Sequence, residues 1–139
     1  MLKVLTNIRL KKYINILKKL ILVIFKFQLR SLKKIELRRA DLLKDQRQIE
    51  ITDLGAGSHQ NNNRIKSIQG IAKSALKQAR FAALYYRIIK SANPAHIIEL
   101  GTSLGITSSY MAMASTQKVY TLEGCPNTLS IAKETFEVL

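Results

Sequence analysis

The sequence predicts an α/β fold, and three observations carry that prediction. Two short apolar strands, His96 to Leu100 and Lys118 to Leu122, are separated by a glycine turn, Gly101 to Gly105, and by an apolar helical stretch, Ile106 to Ala114. Strand, turn, helix and strand in that order read as neighbouring parallel strands joined by a crossover helix. At 139 residues, 47% of them hydrophobic, the chain has material for one domain with a core.

Residues 1–48 read as a basic, amphipathic helical extension. Met1 to Arg47 holds fourteen Lys or Arg and three acids, net +11, whereas the remainder carries nine basic and six acidic residues, net +3. Leu10, Ile14, Leu17, Ile21 and Ile24 recur at steps of four and three, with Lys11, Lys18 and Lys19 beside them. The unbroken apolar run, Leu20 to Phe25, is far short of the ~20 residues that span a bilayer, and no small-residue cleavage site follows it. Three readings of this arm stay open: a helix packed on the domain or a partner with its lysines in water, peripheral contact with an anionic membrane, or a grip on nucleic-acid phosphates. Nucleic acid ranks last, because stacking aromatics are few: Tyr13, Phe25 and Phe27.

Residues 49–139 read as the domain proper. Ile49 to His59 begins as a short extended segment and passes into a polar loop; Asp53, Gly55 and Gly57 imitate a strand-acid-glycine signature, but Ser58 to Asn63 is turn composition rather than a helix start. Arg64 to Ala75 reads as a helix with Ile65, Ile68, Ile71, Ala72 and Ala75 on one face. Gln78 to Ser91 reads as a second, whose stripe Phe81, Leu84, Tyr85, Ile88 and Ile89 is expected to cover one side of the sheet. Asn93-Pro94 ends it and turns the chain into the first strand. A last helix is expected from Asn127 to Val138, with Pro126 suited to its start.

The strand ends carry the chemistry. A ligand lying across the carboxyl ends of parallel strands needs bare backbone beside it, which Gly101 and Gly105 supply, and an acceptor for its ribose, which Glu123 supplies 22 residues after Gly101. A dinucleotide site wants glycine where this chain has Ser103, which disfavours NAD and FAD. A P-loop wants Gly-Lys-Ser/Thr, whereas Gly105 precedes Ile106-Thr107, which excludes that route to ATP or GTP.

The acid-x-Gly-x-x-x-Gly pattern of Glu99, Gly101 and Gly105, with Glu123 ending the second strand and Gly124-Cys125-Pro126 after it, resembles the class I S-adenosylmethionine-dependent methyltransferases, in particular a bacterial O-methyltransferase-like branch. The resemblance covers roughly Lys34 to Leu139 and is most specific from Ile97 to Pro126. It implies a partial Rossmann-like methyltransferase fold, its first two parallel strands with flanking helices. S-adenosyl-L-methionine is the implied cofactor. Glu99 would sit near its methionine end, the turn with Gly101, Thr102, Ser103 and Gly105 beneath its ribose and methionine portion, Glu123 on the ribose hydroxyls, and Gly124 and Cys125 toward the adenine.

In that family the acceptor pocket, any general base and any metal ligands come largely after the fourth strand, so no catalytic residue or metal ligand is assigned. A small-molecule methyl acceptor is favoured over a macromolecule. Two parallel strands cannot bury both faces or satisfy both edges, so the expectation is a truncated copy, inactive and marginally stable alone, or a chain whose sheet a partner completes. A non-catalytic cofactor-binding or interaction module and a basic membrane-associated protein remain as alternatives. The single cysteine excludes an internal disulfide, and Cys125 reads as a buried or semi-buried thiol rather than a nucleophile, because no sequence feature supplies a base for it. His59 and His96 stand too far apart for a metal pattern, and a reducing cytoplasm is the expected location, with membrane-peripheral contact through the arm open.

Overall fold

The computed structural model describes residues 13–14, 32–52 and 64–139. The chain divides into two units, residues 1–31 and 32–139. In the first, Tyr13 and Ile14 are helical and exposed. The other positions that define the amphipathic arm (Leu10, Leu17, Ile21, Ile24 and their lysines) lie outside the described residues, as do Asp53 to Asn63.

The second unit is mixed α/β, with five helices and two two-stranded sheets among its described residues. Helix α1, residues 32–42, belongs to this unit, although the sequence reads it as part of the extension. Ile35, Arg39 and Leu42 are its buried positions, one helical face, and Ile35 and Leu42 enter the main core. Arg38 reaches Thr135 and Glu134, and Arg47 grips Asp45 and Glu134, so α1 and the segment after it are tied to the last helix by ion pairs as well as by packing.

Strands β1 (Gln48–Glu50) and β2 (Ile65–Ser67) pair antiparallel, Ile49 opposite Lys66. The helix expected over Arg64 to Ala75 therefore begins later, as α2 (Ile68–Ala75). Ser67 decides the start: its hydroxyl accepts the Gly70 N–H and caps the helix, leaving the three residues before it free to pair with β1. Ile65, expected on the helix face, is instead an exposed strand residue. Ile68, Ile71 and Ala72 are buried as expected.

Helix α3 (Ala79–Ala92) ends at Asn93, whose left-handed backbone, φ 43°, returns its N–H to Ile89. Of its expected stripe only Ile89 faces the core. Phe81, Leu84, Tyr85 and Ile88 are exposed, while Ala82 and Ile89 are buried and Tyr86 half-buried. The helix is turned by roughly a quarter revolution from the predicted face. Small Ala82 and the neighbouring Tyr86 pack toward helix α4 (Ile106–Ala114), and Ile89 joins Ile97, Met111 and Ala114 in a second cluster. Helix α4 is apolar almost all round and buried almost throughout, as a central helix requires.

Strands β3 (Ile97–Leu100) and β4 (Val119–Leu122) are parallel, in the register Ile97 to Val119, Ile98 to Tyr120, Glu99 to Thr121 and Leu100 to Leu122. The inner face carries buried Ile97 and half-buried Glu99, Val119 and Thr121. The outer face presents Ile98, Leu100, Tyr120 and Leu122, all exposed. Helix α5 (Pro126–Glu137) follows with Pro126 in its first turn, where a missing N–H costs nothing.

Candidate functional site

The glycine turn is hooked onto the end of β4. The Gly101 and Thr102 N–H groups both donate to the Leu122 carbonyl, at 2.9 and 3.1 Å, and Gly105 N–H closes back on the Thr102 carbonyl at 3.0 Å. Gly101, Ser103 and Gly105 all have positive φ, at 91°, 51° and 83°. Only glycine adopts that region freely, so Ser103 stands there at a cost of roughly 1–2 kcal/mol.

Glu123 compensates for that strain. Its carboxylate accepts the Ser103 N–H at 2.8 Å on one oxygen and the Cys125 N–H at 3.0 Å on the other. Charge-assisted bonds to two backbone donors hold the acid and the turn together, and an ionised carboxylate with about four acceptor positions still has capacity for further donors. The acid at the end of the second strand and the bend at the end of the first, predicted to share one ligand, are in direct contact.

The two glycines do different work. A Cβ on Gly101 would meet nothing within 4 Å, so this bend presents bare backbone to open space. A Cβ on Gly105 would lie 2.9 Å from the Phe136 ring and 3.3 Å from the Ala132 carbonyl. Gly105 is thus needed where α5 presses on the start of α4, rather than as bare backbone on the open side as the sequence suggested.

Glu99 faces inward from β3 and is served by hydroxyls. Thr121, directly opposite it in the parallel register, donates to Oε2 at 2.6 Å, and Ser108 on α4 donates to the same oxygen. Thr102 is buried with its hydroxyl 2.6 Å from that of Thr121, so its side chain braces the turn from beneath. Sequence reasoning missed Ser108 and Thr121; the signals were present, as hydroxyls in an otherwise apolar helix and strand.

Two adjoining cavities flank Ser103. One of about 280 Å³ is lined by Glu99, Gly101, Thr102, Ser103 and Thr107, with Lys77 and Met111. The other, about 390 Å³, is lined by Ser103, Glu123, Gly124, Cys125 and Thr128, with Thr52 and Lys66. Ala75, at the end of α2, borders both. The strand-end residues named from the sequence thus gather around one turn, with Glu99 and Gly101 on one side and Glu123, Gly124 and Cys125 on the other; Gly105 alone is drawn away, against α5.

Cys125 is buried at the start of α5 and links it to β1, accepting the Thr52 N–H at 3.4 Å, while Asn127 Nδ2 donates to the Glu50 carbonyl at 2.8 Å. Burial pushes the thiol up, but hydrogen bonds from the Thr128 side chain and from the Thr128, Thr52 and Asn127 backbones outweigh it and hold it below the ordinary range. Behind α4, Tyr110 donates to Glu36 at 2.8 Å, and Glu36 also receives Arg39. Burial first, and the Glu36 carboxylate second, push the Tyr110 phenol up to about 12.

No family model, curated protein or solved structure matches this chain. No helix among the described residues is long and apolar enough to cross a membrane.

Proposed function

We propose that residues 97–128 bind S-adenosyl-L-methionine, as part of a partial Rossmann-like, class I methyltransferase domain. The observation that carries the proposal is the 2.8 Å bond from Ser103 N–H to Glu123, because it joins the second-strand acid to the glycine bend at the carboxyl ends of two parallel strands. That is where an open α/β sheet receives a nucleotide-like ligand. The residues present fit the group: open backbone at Gly101, a carboxylate with unused acceptor capacity for ribose hydroxyls, and two adjoining cavities on either side of Ser103.

The bound cofactor would supply an activated methyl group. This chain's part is to grip and orient, which is most of what an in-line displacement asks of a protein. Glu123 would hold the ribose edge, Glu99 the far end, and the Gly101 bend would let the main chain lie close beneath the ligand. The methyl acceptor that this reading favours is a small molecule.

Calorimetry with S-adenosyl-L-methionine tests the proposal. The full chain is expected to bind, and Glu123→Ala to weaken binding by about tenfold or more, the worth of a charge-assisted hydrogen bond or two. Thermal unfolding of the same variant reports whether the turn survives. No binding by the parent chain, or equal binding by the variant, overturns the proposal.

A further inference from the structure

We infer that the exposed face of helix α3 is a docking surface for an anionic lipid bilayer. The inference is independent of the strand-end site and starts from the stripe that the fold leaves uncovered. Phe81, Leu84, Tyr85 and Ile88 are each between 41% and 51% exposed, although together they make one apolar helix face. The helix gives Ala82 and Ile89 to the core instead, roughly a quarter turn away. Tyr85 also borders the 280 Å³ cavity, as do Ile98 and Leu100 of the sheet's outer face, 69% and 83% exposed, so the helix stripe adjoins a second bare apolar surface. Contiguous apolar area of that kind marks an interaction surface rather than scattered exposure.

The charges around the stripe name the partner. Arg80 and Arg87, two turns apart, stand on the flank of the stripe away from the buried face, and Lys77 and Lys90 are exposed near the helix ends. None of the four is in an ion pair among the described residues, and the sequence has no Asp or Glu from Leu54 to Ile98. The Arg80 guanidinium lies 4.8 Å over the Phe81 ring, which sets a cation directly against the apolar face. An apolar stripe edged by arginines and bare of acids matches a surface with anionic phosphate above hydrocarbon. The aliphatic tips enter the acyl boundary, the tyrosine sits at the headgroups and the long arginines reach back to phosphate. A second copy of this chain would bring the same arginines together, and like charges oppose that pairing. Nucleic acid would take the arginines and leave Leu84 and Ile88 in water.

Flotation of the full chain with vesicles of phosphatidylcholine, alone or mixed with phosphatidylglycerol, tests the inference. Every variant keeps the basic N-terminal arm, so the arm's own attraction is a constant background. The parent chain is expected to bind the mixed vesicles, and to bind pure phosphatidylcholine about tenfold or more weakly. Leu84→Ala combined with Ile88→Ala keeps helix propensity and the core, and should weaken binding to mixed vesicles about tenfold or more, as should Arg80→Gln combined with Arg87→Gln. Both variants should unfold at the temperature of the parent, since the side chains removed are exposed. The chain has no tryptophan, so Tyr85→Trp places a single indole on the stripe, and its emission should shift to the blue on mixed vesicles. No binding by the parent, variants that bind as the parent does, or bound protein whose indole emission stays unshifted overturns the inference, the last by assigning attachment to the arm. Parent dimers that Leu84→Ala with Ile88→Ala dissociates, without vesicle binding, overturn it in favour of a second copy.

Discussion

The two ends of the glycine turn, four residues apart, meet opposite environments. At the first end Leu100 is 83% exposed and Gly101 faces open space; at the second Leu104 is wholly buried and Gly105 is pressed against Phe136. Both glycines have positive φ, and both fit the same sequence pattern. The difference teaches that a motif can hold two unrelated requirements: one position leaves backbone bare to open space, and the other lets two helices meet.

The largest expected effect separates the leucines. Leu104→Ala removes a core side chain and should destabilise the fold by about 2–5 kcal/mol, whereas Leu100→Ala should stay within about 0.5 kcal/mol. Urea unfolding of both variants measures this, and equal losses would erase the distinction between the ends. The glycines come next. Gly105→Ala combines a disfavoured φ with a clash and should cost about 2–4 kcal/mol, while Gly101→Ala should cost about 1 kcal/mol of stability and act mainly on ligand affinity. A Gly101→Ala protein that melts like Gly105→Ala would mean that both glycines serve packing.

The third effect tests the packed end through Tyr110, one turn into α4. Because its phenol is held at about 12 in the folded chain, against 10.0 for an ordinary tyrosine, the stability it contributes is complete below pH 10 and is lost as pH rises toward 12. That loss amounts to about 2 kcal/mol. Denaturant titrations at pH 9 and 12 should show it, and Tyr110→Phe should flatten that alkaline limb. The acid limb is smaller. Arg47 lowers the carboxyls of Glu134 and Asp45 through hydrogen bonds, so their support is present above the ordinary carboxylate range and fades as pH falls below it. Arg47 is more than half exposed, and solvent limits the effect to under about 1 kcal/mol. Arg47→Met should move the acid midpoint upward only slightly.

Strands β3 and β4, the turn between β3 and α4, and the start of α5 were legible because their signals are local: apolar runs, glycines where φ must be positive, and proline where no N–H is needed. The face of α3 was not. Phe81, Leu84, Tyr85, Ile88 and Ile89 make an amphipathic stripe on their own, yet only Ile89 of them is buried and Ala82 takes the contact instead, because the depth of approach to α4 favours a small residue there. The start of α2 was missed for a related reason. Ile65 fits a helical period and a strand equally well, and its pairing partner lies some fifteen residues earlier in the chain.

By itself the sequence determined the order of strand and helix, the positions of the bends and the acids available at the strand ends, since backbone preference and hydrophobic period act over a few residues. Only the tertiary structure decided which donor each carboxylate meets: Glu99 the hydroxyls of Thr121 and Ser108, Glu123 the N–H groups of Ser103 and Cys125. Hydrogen bonds act over about 3 Å, and residues twenty positions apart come that close only when parallel register and helix packing have set their places.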